Sequence, residues 1–159
     1  MNVDDIDLEL QIAISDCVVC PDAPQFHSWA NAVMQCPQLL SLIPASPQLS
    51  VRLVDEAEGA DLNQQWRNKT GATNVLSFPF EPMAGLDLGL LGDIVLCVPV
   101  VQREAIQQNK PVKTHFAHLL IHGLLHLLGF DHLETGDAVK MEQLEIEIMA
   151  TLGYTNPYA

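Results

Sequence analysis

At 159 residues, 48% of them hydrophobic, the chain is long enough for one well-buried core, and a single domain spanning 1–159 is expected. Its net charge of −13 argues against a globally basic nucleic-acid-binding surface, and its longest apolar run, Ile94–Val101, is interrupted by Pro99 and far too short to span a membrane. The N-terminus, MNVDDIDLEL, is acidic where a secretory signal would be basic and then apolar, so a soluble cytoplasmic protein that engages no membrane is expected.

Val3–Val19 alternates imperfectly (Ile6, Leu8, Leu10, Ile12, Ile14) and is predicted to be the first strand. Cys17 and Cys20 form a C-x2-C before Pro21, which invites a redox or zinc-knuckle reading. No second pair completes a four-cysteine site, and a redox pair should open a helix within a βαβ unit, so they read as small buried apolar residues ending the strand. Gln25 to about Cys36 places Phe26, Trp29, Ala30 and Val33 on one helical face, with Pro37 near its end. Ile43–Gln48 is proline-punctuated loop, and Leu49–Asp55 alternates as a strand paired with the first, Arg52 facing out.

Ala57 to about Lys69 is predicted to be a short helix, with Asp61 a candidate cap and Leu62, Gln65 and Trp66 inward. After a turn at Thr70–Asn74, Val75–Phe80 is a strand whose Pro79 puts it along an edge or at a bulge. The loop EPMAGLDLGLLG precedes an apolar strand, Asp93–Val98, and Pro99 suits the first turn of a helix reaching about Asn109. Pro111 separates that helix from a histidine-rich one. Asp137 to about Leu152 is a last amphipathic helix with Met141, Leu144, Ile148 and Met149 apolar, Glu142, Glu145 and Glu147 mainly outward, and Gly153 as its cap. The order β-α-β-α-β-β-α-α-α predicts an α+β fold: a small mixed sheet of about four strands, helices packed mainly on one face, and a metal site on a central buried helix.

That metal site is read from residues 115–132, HFAHLLIHGLLHLLGFDH, which hold five of the six histidines. On a helix, His115, His118, His122 and His126 share one narrow stripe, and the residues around them are mostly apolar. His122 and His126 stand one turn apart, so two imidazoles can meet one cation. A further ligand cannot come from continuing the helix, because eight residues would span about 12 Å. Gly129 can take the left-handed conformation that stops the helix, and Phe130 and Asp131 then carry His132 back. A lone histidine on an apolar face is usually a packed core residue; three at H-x3-H-x5-H with glycine at the bend point to metal ligands. Three neutral imidazoles leave Zn²⁺ its full charge and an open fourth position, the arrangement of a catalytic centre.

The same spacing belongs to the metzincin peptidases, where a glutamate after the first histidine is the general base. Here that position is Gly123, which can take no proton, and no methionine turn is recognisable downstream. A phosphodiester reaction needs instead a fixed cation for charge on phosphorus, and Arg67 is the candidate. Charge distribution favours the same region. Residues 62–120 hold five bases against four acids, whereas 1–61 hold ten acids and one base. His115 and His118 could support the ligands or simply pack, Asp131 could orient an imidazole or stabilise the turn, and Ser77 and Asp93 carry no assigned role.

The stretches LNQQWRNK (62–69), TNVLSFPFE (73–81), LLGDIVLC (90–97), HGLLHLLGFDH (122–132) and MEQLEIEIMATLGY (141–154) together closely resemble the bacterial rRNA-maturation endoribonuclease family YbeY, over nearly the whole chain. The resemblance implies a metal-dependent endoribonuclease acting on single-stranded RNA, not DNA. Its implied setting is maturation of ribosomal RNA, notably the 16S 3′ end of the small ribosomal subunit, and ribosome quality control. His122, His126 and His132 fall on the family's zinc ligands and Arg67 on its functional arginine, while Asn74 stands where many members carry aspartate. The alternatives left open are a metzincin-like zinc peptidase and a non-catalytic, zinc-containing ribosome-assembly factor.

Overall fold

The computed structural model describes residues 5–15, 17–80, 89–130 and 135–159. Four strands form one sheet: β1 (Asp7–Ala13), β2 (Gln48–Val54), β3 (Val75–Pro79) and β4 (Leu90–Cys97), in the order β1-β2-β4-β3. β1, β2 and β4 run parallel, and β3 is antiparallel to β4 at the edge. Pro79, ending β3, therefore withholds a donor where no neighbouring strand needs one. Helices α1 (Ala23–Met34), α2 (Glu56–Arg67), α3 (Val98–Gln107), α4 (Val112–Leu127) and α5 (Thr135–Thr151) complete the α+β architecture in the expected order. A short 3-10 helix, Pro37–Leu42, precedes the loop into β2.

Alternation decides which face each helix covers. Leu49, Val51 and Leu53 of β2 and Ile94 and Leu96 of β4 are buried against α1, α4 and α5 through Phe26, Val33, Phe116, Leu120, Leu124, Met141 and Ile148. The opposite face, with Val54, Leu76, Val95 and Cys97, forms a smaller cluster with Leu62 of α2. Three helices thus pack on one side and α2 on the other.

Several boundaries differ from expectation. β1 is shorter than Val3–Val19, and Cys17 and Cys20 lie past its end, half-buried and joined by a disulfide. Their Cα atoms are 5.6 Å apart, within bridging reach, so they are not separate small core residues. β4 begins at Leu90, three residues before Asp93. Gly92 allows this: its φ is 144°, and a Cβ there would lie 2.3 Å from the Phe78 carbonyl oxygen.

In α2 the expected cap and inward face are both corrected. Asp55, not Asp61, caps the helix by accepting from the Glu58 amide at 2.9 Å. Gly59 and Asn63 are the buried positions, Leu62 is half-buried, and Gln65 and Trp66 are exposed. The small Gly59 sets this rotation, since even a Cβ there would come within 3.0 Å of Cys97 Sγ. Among the described residues no helix is long and apolar enough to cross a membrane.

Candidate metal centre

Helix α4 runs through the middle of the larger core, with Phe116, Ala117, Leu120, Ile121, Leu124 and Leu125 buried. It ends as the glycine predicts. Gly129 has φ 103°, its amide donates to His126 O at 3.0 Å, and the Phe130 amide donates to Leu125 O at 3.0 Å. Those paired bonds form a Schellman motif, which stops the helix just after His126, at Leu127. Asp131 and His132 lie outside the described residues, so the predicted third ligand is not placed. Among the described residues no group of three or more His, Cys, Asp or Glu is placed to hold a metal.

The structure does bring His122 and His126 together. Their Nε2 atoms face each other at 3.1 Å, with the rings 4.6 Å apart and nearly perpendicular. Each ring's other nitrogen is committed elsewhere. His122 Nδ1 donates to Glu145 Oε1 at 2.7 Å, and His126 Nδ1 donates to the Phe130 carbonyl at 2.9 Å. Neither acceptor carries a proton to give at neutral pH, so both Nδ1 atoms bear hydrogen and, in neutral rings, both Nε2 atoms bear lone pairs. Two lone pairs at 3.1 Å repel each other, and a cation between them reverses the sign. Two imidazole nitrogens on one tetrahedral zinc would stand about 3.3 Å apart, so the pair fits such an ion.

Glu145 is the residue that sequence reasoning missed. It was expected to face outward on α5, yet it is completely buried. Its Oε1 accepts from His122 Nδ1 and, at 3.1 Å, from His118 Nε2; its Oε2 accepts from the Tyr158 hydroxyl at 2.6 Å. Burial alone would raise the carboxyl pKa, but the bonds from His118, His122 and Tyr158 outweigh it and hold the group at about 2. The Tyr158 hydroxyl moves the other way, its pKa raised by burial and by the bond to Glu145. The ionised carboxylate fixes His122 in the tautomer whose Nε2 carries the lone pair that a cation would take. A signal for this existed: Glu145 stands four residues after Met141 and three before Ile148, on the buried stripe of α5.

His115 belongs to a different cluster. Its Nε2 donates to Glu104 at 2.9 Å, and Asn74 Nδ2 donates to the same carboxylate at 3.0 Å. Burial lowers the His115 pKa despite the Glu104 bond, so the ring is neutral. Asn74 thus contributes a donor that an aspartate would replace with a second negative charge.

Arg67 ends α2 on the other side of the sheet, and its guanidinium reaches the open edge of β3. It donates to the Ser77 carbonyl at 2.6 Å and lies 5.7 Å from the centre of the Phe78 ring. Ser77 is buried and its hydroxyl donates to Gly123 O at 3.3 Å, beside His122. Arg67 is therefore linked to the histidine helix through one residue of β3. Asp93, paired with Phe78, is exposed on the α2 face and does not approach α4. Gly123 is pressed against the sheet, where a Cβ would lie 3.0 Å from Ser77 Oγ and 3.1 Å from Ile94 Cδ1. A side chain at that position would require Ser77 and Ile94 to give way.

A protein-family model described as "Endoribonuclease YbeY" matches residues 12–153. The solution structure of TM1509 from Thermotoga maritima, described as "VT1, a NESGC target protein", superposes with a TM-score of 0.57. It shares 22% sequence identity, over 91% of this chain and 91% of that one, a likeness that bears on the fold alone.

Proposed function

Because the chain belongs to the YbeY endoribonuclease family, we propose that it is a single-domain, zinc-dependent enzyme that cuts single-stranded RNA in the cytoplasm. Its proposed setting is maturation of the small-subunit ribosomal RNA 3′ end and ribosome quality control. The observation that supports the metal most strongly is the facing Nε2 pair of His122 and His126. His122, His126 and His132 would hold the zinc. When bound there, the ion supplies a Lewis acid that polarises a phosphoryl oxygen and makes water more acidic.

The remaining work falls to the chain's own groups. Glu145 and the Phe130 carbonyl keep both imidazoles in the ligating tautomer. Arg67 spends one hydrogen bond on Ser77 O, and among the described residues its other guanidinium donors are uncommitted. They can meet a phosphate and steady the charge that develops on phosphorus. The peptidase reading lacks its base, since position 123 is occupied by packing against Ser77 and Ile94.

The test is cleavage of a single-stranded RNA oligonucleotide by purified protein with metal removed and restored, beside Arg67→Ala. Cleavage should vanish and return with zinc, and the variant should keep fold and metal while losing at least about tenfold in kcat. Full activity in Arg67→Ala would remove that residue from the mechanism. Cleavage of casein but not of RNA would replace the nuclease with a peptidase. A stoichiometric zinc with no cleavage of either would leave a non-catalytic assembly factor.

A further inference from the structure

The chain has two tryptophans, and they sit in opposite surroundings. Trp29 is 3% exposed in the core, whereas Trp66, at the end of α2, is 65% exposed. Single exposed apolar residues are ordinary, but this one is not alone. Its ring lies at 68° to that of Phe78, with centroids 6.1 Å apart, and Phe78 lines one cleft with two further exposed apolar residues, Phe80 just past β3 and Leu90 of β4. Its 65% exposure leaves most of the Trp66 indole surface open to a ligand. Arg67 lies against the same Phe78 ring, and Lys69 follows three residues after Trp66.

We propose that Trp66, backed by Phe78 and flanked by Arg67 and Lys69, is a stacking platform for an unpaired base of an RNA strand, a proposal that rests on the ribonuclease assignment above. Stacking needs an aromatic face and a nearby cation for the backbone, and this end of α2 supplies both. Charge also selects among occupants. A second copy of this chain brings another −13 charges to the contact, whereas a polyanion gains from Arg67 and Lys69. Direction follows from the acids. Asp7, Glu9 and Asp93 line one cleft together with Phe78 and Phe80, and Arg67 lies outside it, so phosphates are repelled from the cleft side and led towards Arg67. Arg67 is the residue that connects through Ser77 to the histidine helix, so a base held on Trp66 places its strand next to the candidate centre. Paired bases are stacked on one another already, which makes the platform selective for single strands.

Trp66 emission provides the readout. The full-length protein is titrated in the cold with a short single-stranded oligoadenylate, and affinity is followed in parallel by anisotropy of a labelled copy. RNA should quench the wild-type emission. Trp66→Ala should lose the quench and bind roughly tenfold more weakly, with KM rising more than kcat falls; Trp66→Phe should keep most of the affinity. A duplex of the same length should quench little. Because Trp66 is exposed, unchanged circular dichroism and Trp29 emission will show that the variants remain folded. Cleavage of RNA by the wild type without quenching, and with an unchanged KM in Trp66→Ala, overturns the platform and leaves the nuclease standing. A wild-type protein that neither binds nor cuts RNA overturns both. A dimer that Trp66→Ala dissociates, with RNA affinity unchanged, would make the patch an interface between copies instead.

Discussion

The two halves of the histidine stripe on α4 use their rings in opposite senses. His115 and His118 direct Nε2 into carboxylates, Glu104 and Glu145, and keep Nδ1 buried without a hydrogen-bond partner among the described residues. His122 and His126 commit Nδ1, to Glu145 and to the Phe130 carbonyl, and turn Nε2 towards each other. Residue type, helix and stripe are the same in both halves. What differs is which nitrogen the buried carboxylates and the Phe130 carbonyl claim, and that choice sets the direction of the other nitrogen. Glu145 stands at the boundary, holding His118 by one ring nitrogen and His122 by the other.

Removing the carboxylate at that boundary should weaken the metal site while leaving both imidazoles in place. Glu145→Gln keeps the shape but can offer His122 an amide N–H where an acceptor is required. Zinc affinity, measured by competition with a chromophoric chelator, should fall about 10- to 100-fold, with smaller loss in a Tyr158→Phe variant. Unchanged affinity in Glu145→Gln would reduce the carboxylate to a packing role.

Acid should separate the two halves further, since both carry groups whose pKa is lowered on folding. His115 is held neutral by burial, so the unfolded chain takes up its proton first; its contribution is complete above about 6.5 and is lost as pH falls below that. Glu145 is lowered from 4.5 to about 2, so its contribution is complete above 4.5 and is lost between 4.5 and 2, amounting to about 3 kcal/mol. Urea midpoints of metal-free protein should therefore fall in two stages on acidification. A midpoint that holds steady from neutral pH down to about 2 would contradict both assignments.

Much of this was legible in the sequence, and the misses have identifiable causes. The helix period placed the four histidines of α4 on one stripe, and Gly129 marked its end, because both depend on local backbone geometry. The alternation of β2 and the prolines at 79 and 99 located strands and a helix start for the same reason. Glu145 was misread because acids on an amphipathic helix normally face water, and its burial depends on partners from α4 and the C-terminal segment. The inward face of α2 was misread because bulk was taken as the guide, whereas Gly59 allows the close approach and Trp66 is left exposed beside Phe78. The Cys17–Cys20 bridge required knowing that β1 ends at Ala13. Gly123 was read for the base it lacks; the structure adds that a Cβ there would crowd Ser77 and Ile94.

The comparison between the two halves is tested most directly by the zinc content of purified His126→Ala and His115→Ala, measured by atomic emission beside the unsubstituted protein. The expected result is a stoichiometric ion in the unsubstituted protein, near-complete loss in His126→Ala, and retention in His115→Ala. Equal zinc in both variants would contradict the assignment of the facing Nε2 pair as a metal centre.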